Sequence, residues 1–306
     1  KGVASQPPCE ALGASVSRHL RSLLALQQED VLASGDSAAV AAALHAGGVL
    51  SSRRTRFTQT TVGTLLSTAV RECLHADAAM INGGTIKGSR DYPSGGLNYL
   101  ELQQELPFPT KMVVVSLPGE TLQQAVTHSR AGEPTDERRA YLQLCDAFQV
   151  ADDACHTIVA LRGAPFDRTA SYAIALPRNL LKGAFDVQPL VAWAEHAPAG
   201  AQPSEDAFIP ALNCVVMAQA QRFWRRLGTF DEIDADGDGE LTRDEVAAAL
   251  ARKLGEPPSA IMVDHVLGSI DIDGSGTVSR EEFERSDQAP KGSPLGLTRA
   301  GAGAIR

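Results

Sequence analysis

The segment DADGDGELTRDE, residues 234–245, puts oxygen-bearing side chains at positions one, three and five (Asp234, Asp236, Asp238), a glycine at six (Gly239) and a glutamate at twelve (Glu245). Glu240 offers its backbone carbonyl at seven, and Thr242 a hydroxyl or a bridging water at nine. Carboxylates crowded this closely repel one another unless a cation gathers them. A hard cation that takes six to eight oxygens at flexible distances fits this spacing, and the glycine permits the sharp turn that wraps the chain around it. The loop therefore predicts a calcium site, with one helix entering it and another leaving.

The pattern returns as DIDGSGTVSREE, residues 271–282, with Asp271, Asp273, Ser275, the Thr277 carbonyl, Ser279 and Glu282 as ligands and Gly276 at the turn. The two loops start 37 residues apart, enough for an exiting helix at 244–253, a connector and an entering helix at 259–270. Leu241 and Val278 hold the same loop position, where paired loops meet in a short antiparallel bridge. Phe223, Trp224, Phe230, Val246, Leu250, Ile261, Val266 and Phe283 supply the apolar faces. This is the pattern of an EF-hand pair, with two Ca²⁺ sites. The first loop carries four carboxylates and the second three, so the first is expected to bind more tightly.

The rest of the chain is long enough for a further domain. Its 306 residues suggest about two domains, and no metal or disulfide is needed merely to hold such a chain together. A net charge of −9 argues against a general nucleic-acid binder, which would show a basic stripe. The five cysteines (Cys9, Cys73, Cys145, Cys155, Cys214) are odd in number, widely spaced and free of any CxxC pair. They read as reduced, buried thiols in a cytoplasmic setting. No run approaches the roughly 18 apolar residues of a membrane span, and no apolar signal core follows the first residues. The chain opens on Lys1 and not on methionine, which reads as a processed or truncated product.

Residues 1–9 read as a Pro-containing linker and 10–29 as an amphipathic helix. From 51 to 195 short apolar runs alternate with helical patterns. MVVVSL (112–117), TIVAL (157–161) and ASYAIAL (170–176) are strand-like, whereas TVGTLLSTAVRECL and GETLQQAVTHSR are helix-like. The mixture predicts an α+β domain with a mixed sheet over 10–194, followed by an all-α calcium-loop pair at 217–287. Residues 195–216 read as linker and lead-in, and 288–306 as a Gly/Pro-rich tail. Within the first domain INGGTIKG (81–88) stands out. Paired glycines let backbone N–H groups approach an anion, although the same pair also serves as ordinary turn punctuation.

The ordered pieces TRFTQTTVGTLLSTAVRE, AAMINGGTIKG and LPFPTKMVVVSLPGETLQQAVTHS, with YLQLCDAF after them, resemble the C-terminal domain of the 5′-nucleotidase family. The resemblance runs from about residue 10 to about residue 186. It implies a fold that binds nucleotide, while an upstream metallophosphoesterase domain with two metal ions performs hydrolysis. Carried over residue by residue, Asn82 with Gly83 and Gly84 matches the family's N-G-G turn. Phe108 matches a base-stacking aromatic, Arg56 an arginine before the first helix, and Lys87 the arginine that closes the glycine loop.

The departures are equally specific. Thr58 stands where the family has a phosphate-directed arginine, Thr68 where it has an aspartate, and Asn179 where the second base-stacking ring belongs. Lys87 keeps a charge but not the planar fork suited to phosphate. Phe185 is a candidate replacement ring from a shifted position, and Asp186 takes the place of the terminal aspartate. The seven histidines are scattered, with no D-x-H and no G-N-H-D/E, so no catalytic residue is assigned. DDACH (152–156) reads as a polar turn, His75 and His128 as structural residues in helical patterns, and Cys145 as an unactivated thiol. The sequence thus predicts a calcium-binding chain with a degenerate nucleotidase-type domain. Three readings stay open: the calcium-responsive C-terminal part of a nucleotidase, a non-catalytic calcium-responsive scaffold, or a stand-alone nucleotide sensor coupled to calcium, with a weak nucleotide ligand and a protein partner expected.

Overall fold

The computed structural model describes residues 30–285, apart from Pro134, Ala199, Glu256, Ser259, Ser269, Ile272 and Asp273. The readings made for 1–29, including Cys9 and the amphipathic helix, and for the tail lie outside the described residues.

The first domain is built on a mixed sheet whose strands are β1 (Ala78–Asn82), β2 (Lys111–Pro118), β3 (Leu142–Leu144), β4 (Ser171–Pro177) and β5 (Ile209–Pro210). Their order is β5-β2-β4-β1-β3. The apolar runs read as strands are strands because β-branched and small residues fill both faces of a buried sheet. All five residues of β1 are buried. β2 and β4 pair antiparallel over seven positions, from Ser171 opposite Pro118 to Pro177 opposite Met112. β4 and β1 run parallel, and β1 pairs antiparallel with β3, which sets Ile81 opposite Gln143 and Asn82 opposite Leu142. The end of β1, where the glycine loop begins, therefore lies beside the start of β3.

Helix α1 (Thr61–Cys73) starts where the Thr60 side chain accepts a hydrogen bond from the Gly63 N–H at 3.0 Å. Leu65, Leu66, Ala69, Val70 and Cys73 recur along its buried side. Helix α2 (Gly119–Arg130) follows β2 directly and packs against α3 (Gln188–His196). His75 does not continue α1, as its helical pattern suggested. It follows the helix in a left-handed turn, with φ +49°.

Helix α4 (Ala211–Leu227) belongs to both halves of the chain. Its first turn is anchored by the Ala211 N–H on the Thr110 carbonyl at 2.8 Å. Cys214, Val215 and Ala218 then join the first core against α1, and Trp224, further along the same helix, is fully buried in a second core. The boundary expected at 216/217 thus falls inside a continuous helix. The helix stops at Gly228, whose φ of +143° suits only glycine. Thr229 and Glu232 form a capping box that restarts the chain as the single turn α5 (Phe230–Ile233).

The second core gathers Trp224, Phe230, Ile233, Leu241, Val246, Leu250, Val263 and Val278, with Phe283 packed against it. The remaining elements are β6 (Glu240–Leu241), α6 (Arg243–Leu254), α7 (Ala260–Leu267), β7 (Val278–Ser279) and α8 (Arg280–Arg285). The exiting helix expected at 244–253 is α6; the entering helix expected at 259–270 is the shorter α7, which ends at Leu267. The predicted bridge is present, with Leu241 opposite Val278.

Candidate functional site

In the first calcium loop the Asp234 carboxylate sits at the mouth of the turn. It accepts the Gly237 N–H at 2.8 Å on Oδ1 and the Gly239 N–H at 3.1 Å on Oδ2. Glu245 reaches back from the first turn of α6, accepting the Ala235 N–H at 2.7 Å and the Thr242 N–H and hydroxyl at 2.8 and 2.7 Å. Burial pushes this carboxyl up, but the bonds from Thr242, Ala235 and Asp236 outweigh it and hold Glu245 below the ordinary glutamate range. The result is a converged set in which oxygens of Asp234, Asp236 and Glu245 lie within 4.8 Å of one another. Among the described residues this is the only cluster of three or more His, Cys, Asp or Glu side chains that close. Oxygen ligands alone, aimed at one point with a glycine turn beneath them, fit calcium.

The second loop repeats the scaffold. Asp271 accepts the Gly274, Ser275 and Gly276 N–H groups at 2.8, 3.1 and 3.0 Å. Glu282 accepts the Ser279 N–H and hydroxyl at 2.9 and 2.7 Å. Asp273 lies outside the described residues. The loops are tied across the bridge by the Thr277 hydroxyl, which donates to the Glu240 carboxylate at 2.6 Å. The Glu240 side chain is thus engaged with the other loop, leaving its carbonyl as the oxygen to offer calcium. Asp236 and Asp238 cap turns of their own loop, accepting the Asp238 and Glu240 N–H groups at 3.2 and 2.8 Å.

At the glycine loop the expectation of N–H groups free for an anion is corrected. The Gly83 N–H is taken by the Tyr141 carbonyl at 2.7 Å and the Gly84 N–H by the Arg139 carbonyl at 3.1 Å. Asn82 is fully buried, its Nδ2 donating to the Arg139 carbonyl at 3.1 Å and its Oδ1 accepting the Thr85 hydroxyl at 2.8 Å. The glycines serve close approach, since a Cβ on Gly83 would stand 2.0 Å from the Thr55 carbonyl oxygen. Asn82, Gly83 and Gly84 therefore position neighbours and do not present donors.

The neighbours so positioned are cationic. Arg56 pairs with Glu137, and its carbonyl receives the Arg138 N–H at 2.8 Å. The Lys87 ammonium lies 5.8 Å from the centre of the Phe108 ring, which is 60% exposed. Lys87 is held below the usual lysine value by partial burial and then by the positive charges of Arg56 and Arg139. Lys87, with two arginines near it and Arg56 already paired with Glu137, stands beside an exposed ring, a rim that could meet an anion carrying an aromatic group. Arg139 escaped the sequence reading because DERRA (136–140) looks like a solvated charge run.

Other expectations resolve into structure. The Thr68 hydroxyl accepts the Asp146 N–H at 3.1 Å, and the Thr58 carbonyl takes the Gln143 amide at 2.6 Å. Asn179 sits in the turn 178–181, its carbonyl receiving the Lys182 N–H at 3.1 Å. Burial pushes the Cys145 thiol up to about 11, which keeps it protonated. Cys73, Cys145 and Cys214 are buried as expected, but Cys155 is exposed because the 152–156 turn projects from the surface. In that turn Asp153 accepts the Thr157 N–H at 2.9 Å, and His156 takes φ +48°.

The relatives agree with this division. A family model described as "5'-nucleotidase, C-terminal domain" matches residues 37–189, half of the chain, and one described as "EF-hand domain pair" matches 227–286. A stretch of the chain is similar to "Probable calcium-binding protein CML16" of Oryza sativa subsp. japonica, 43% identical over 56 residues, which are 18% of this chain and 30% of that protein. A stretch is also similar to the "15 kDa calcium-binding protein" of Hemicentrotus pulcherrimus, 35% identical over 54 residues, 18% of this chain and 36% of that protein. The chain thus spans about a third of the length of these curated relatives. Among solved structures, the 5'-nucleotidase precursor of Thermus thermophilus aligns with a TM-score of 0.44 at 17% identity, over 68% of this chain and 39% of that one. Among the described residues no helix is long and apolar enough to cross a membrane. The chain belongs to the 5′-nucleotidase C-terminal-domain family and carries an EF-hand pair behind that domain.

Proposed function

We propose that this chain is a calcium-responsive nucleotide-binding module, the C-terminal part of a nucleotidase-type protein, which binds its ligand and does not itself cleave it. The observation that carries this reading is helix α4. One unbroken helix is packed on α1 at its start and buried by Trp224 in the calcium-binding core at its end. Arg222, two residues earlier, is clamped to the first domain by an ion pair with Asp36 at 2.8 Å and another with Glu72. A reorientation of the calcium loops that moves Trp224 must therefore load the α1–α4 contact. The glycine break at 228 is where the two motions would divide.

Both loops would hold Ca²⁺, through Asp234, Asp236, Asp238, the Glu240 carbonyl and Glu245, and through Asp271, Asp273, Ser275, the Thr277 carbonyl and Glu282. Sensor-type loops of this make bind at roughly 10⁻⁷–10⁻⁵ M. The nucleotide would use Lys87, Arg56 and Phe108. Free, largely buried thiols suit a reducing, cytoplasmic setting.

A second reading, a non-catalytic scaffold with a protein partner, is favoured by the positions where the family's ligand residues have been absorbed into the fold, Thr68 and Asn179 above all. Thermal melting of the full chain with AMP, ADP, UDP-glucose or adenosine, each in calcium and in chelator, separates the two. The proposed function predicts a calcium shift in every sample and a further shift with AMP. No nucleotide shift at millimolar concentration would leave only the scaffold.

A further inference from the structure

Two cysteines meet where α1 and α4 pack, and neither takes part in the calcium loops or the glycine loop. Cys73 is the last residue of α1, and Cys214 lies in the first turn of α4. Both side chains belong to the first core, Cys73 at 3% and Cys214 at 0% exposed. The two thiols lie against each other there, hydrogen-bonded across the helix contact, and the Cys214 thiol also reaches the Ile209 carbonyl at 3.9 Å. Cys145, the other buried cysteine among the described residues, is engaged elsewhere, its sulfur accepting the Ala79 N–H at 3.2 Å.

The helices are held in this pairing on either side of the thiols. Glu72, the residue before Cys73, forms its ion pair with Arg222, further along α4. At the start of α4 the Ala211 N–H is fixed on the Thr110 carbonyl at 2.8 Å. Ala69, one turn before Cys73, and Ala218, one turn after Cys214, are buried in the same core, and small side chains let packed helices approach closely. Thiols already in contact face each other as a disulfide requires.

We propose that Cys73 and Cys214 form a reversible disulfide, a redox staple that pins the start of α4 to the end of α1 when a hydroperoxide reaches them. The Cys73 thiolate attacks one oxygen of hydrogen peroxide. The S–O bond forms, the O–O bond breaks, and the departing hydroxide takes up the thiol's proton as water. Cys214 then attacks the sulfur of the Cys73 sulfenic acid. The S–S bond forms, the S–O bond breaks, and the hydroxide leaves with the Cys214 proton as a second water. The two thiols lose two electrons and two protons, and one peroxide is reduced to two waters. Two equivalents of a small thiol reverse the step by exchange, becoming a disulfide themselves.

Burial decides which oxidant acts. The Cys73 thiol beside it and then burial hold the Cys214 thiol well above the ordinary cysteine value, so it stays protonated and serves as the resolving partner. A shell this tight admits a molecule the size of peroxide far better than glutathione disulfide, whereas Cys155, exposed on its turn, is open to either. The staple acts on the one helix shared by both cores. It closes a loop of about 140 residues, and cross-links over long loops restrict the unfolded chain most.

The test is peptide mapping of the full chain after hydrogen peroxide treatment, with free thiols then blocked by iodoacetamide in denaturant and the chain digested without reductant. The expected result is a linked pair of peptides carrying Cys73 and Cys214, absent after dithiothreitol. A rise in melting temperature of about 5 °C over the reduced chain should accompany it. Cys155→Ser should keep both the link and the rise, and Cys73→Ala and Cys214→Ala should each lose both. The wild-type map decides the matter even where an alanine variant folds poorly. A link that forms only in urea-unfolded chain would overturn the proposal. So would a folded chain in which peroxide oxidises Cys155 and leaves Cys73 and Cys214 free to be blocked. A linked chain that melts no higher than the reduced one would overturn its role as a staple.

Discussion

Replacing Glu245 with glutamine is expected to remove calcium from the first loop and with it most of the calcium-dependent stability of the second core. The carboxylate closes the loop at position twelve and is already aimed, held by Ala235, Thr242 and Asp236. Glutamine keeps one acceptor oxygen but loses the charge and the bidentate grip that a calcium ion takes from this position. Its amide nitrogen would also face donors from Thr242 or Ala235, at a cost of about 1 kcal/mol without calcium. Calcium at a thousandfold over its dissociation constant stabilises the folded state by about 4 kcal/mol, and at a hundredfold by about 2.7 kcal/mol. Calorimetric titration should therefore show wild type taking two ions and the variant one or none. Melting of the variant should respond far less to calcium. Wild-type stoichiometry and affinity in the variant would contradict the assignment of this loop.

The second large effect lies in the first domain, at a residue that touches no proposed ligand. Gln143 on β3 is fully buried and makes four hydrogen bonds through its side-chain amide. Its Oε1 accepts the Thr60 N–H at 2.8 Å and the Thr60 hydroxyl at 3.0 Å, and its Nε2 donates to the Thr55 and Thr58 carbonyls at 2.8 and 2.6 Å. This amide fixes the segment 55–60, and so the Arg56 backbone, to the sheet and to the cap of α1. The fit is tight, since a Cβ on Gly63 would stand 2.0 Å from the Gln143 oxygen. Gln143→Leu should cost about 3–5 kcal/mol, because it strands several buried polar groups at about 1–3 kcal/mol each and partial relaxation recovers some of that. Gln143→Glu should not rescue it, because a second carboxylate oxygen would face two carbonyls. Urea unfolding of both variants checks this, and a loss below about 1 kcal/mol for the leucine variant would mean that water or a shifted backbone replaces the amide.

How far the sequence carried the structure depends on what kind of signal each element left. The calcium loops left a local signal, because metal geometry fixes ligand spacing without help from tertiary packing, and among the described residues Asp234, Asp236 and Glu245 do come together. The strands at 111–118, 158–161 and 171–177 were legible because buried strands read as short apolar runs. Helix α4 was not. Its first turns, ALNCVVMA, look like a lead-in because they are apolar on more than one side: Cys214, Val215 and Ala218 enter the first core while Val216 and Met217 stay exposed. The capping box at Thr229 was visible in principle, since T-x-x-E precedes the loop, but a break so close to an EF-hand loop runs against the usual long entering helix. Gln143 could have been flagged as one polar residue inside Leu-Gln-Leu, a buried strand on which any polar group needs partners. The partners themselves lie more than eighty residues away along the chain, and no local pattern names them.

The glycine loop shows the same limit from the other side. The sequence located a place where backbone comes close and could not say to what. The structure answers that the loop approaches the 55–56 backbone and the Arg139 carbonyl, so the chain itself fills the space that an anion was expected to use.

The central proposal is that calcium at the loops is felt in the first domain through α4. Amide hydrogen exchange of the full chain, with calcium and with chelator, tests it most directly. The proposal predicts that calcium slows exchange along α4 and in the last two turns of α1, around Glu72, as well as in the loops. Slowing confined to residues 229–285, with α1 and the first turns of α4 unchanged, would contradict it.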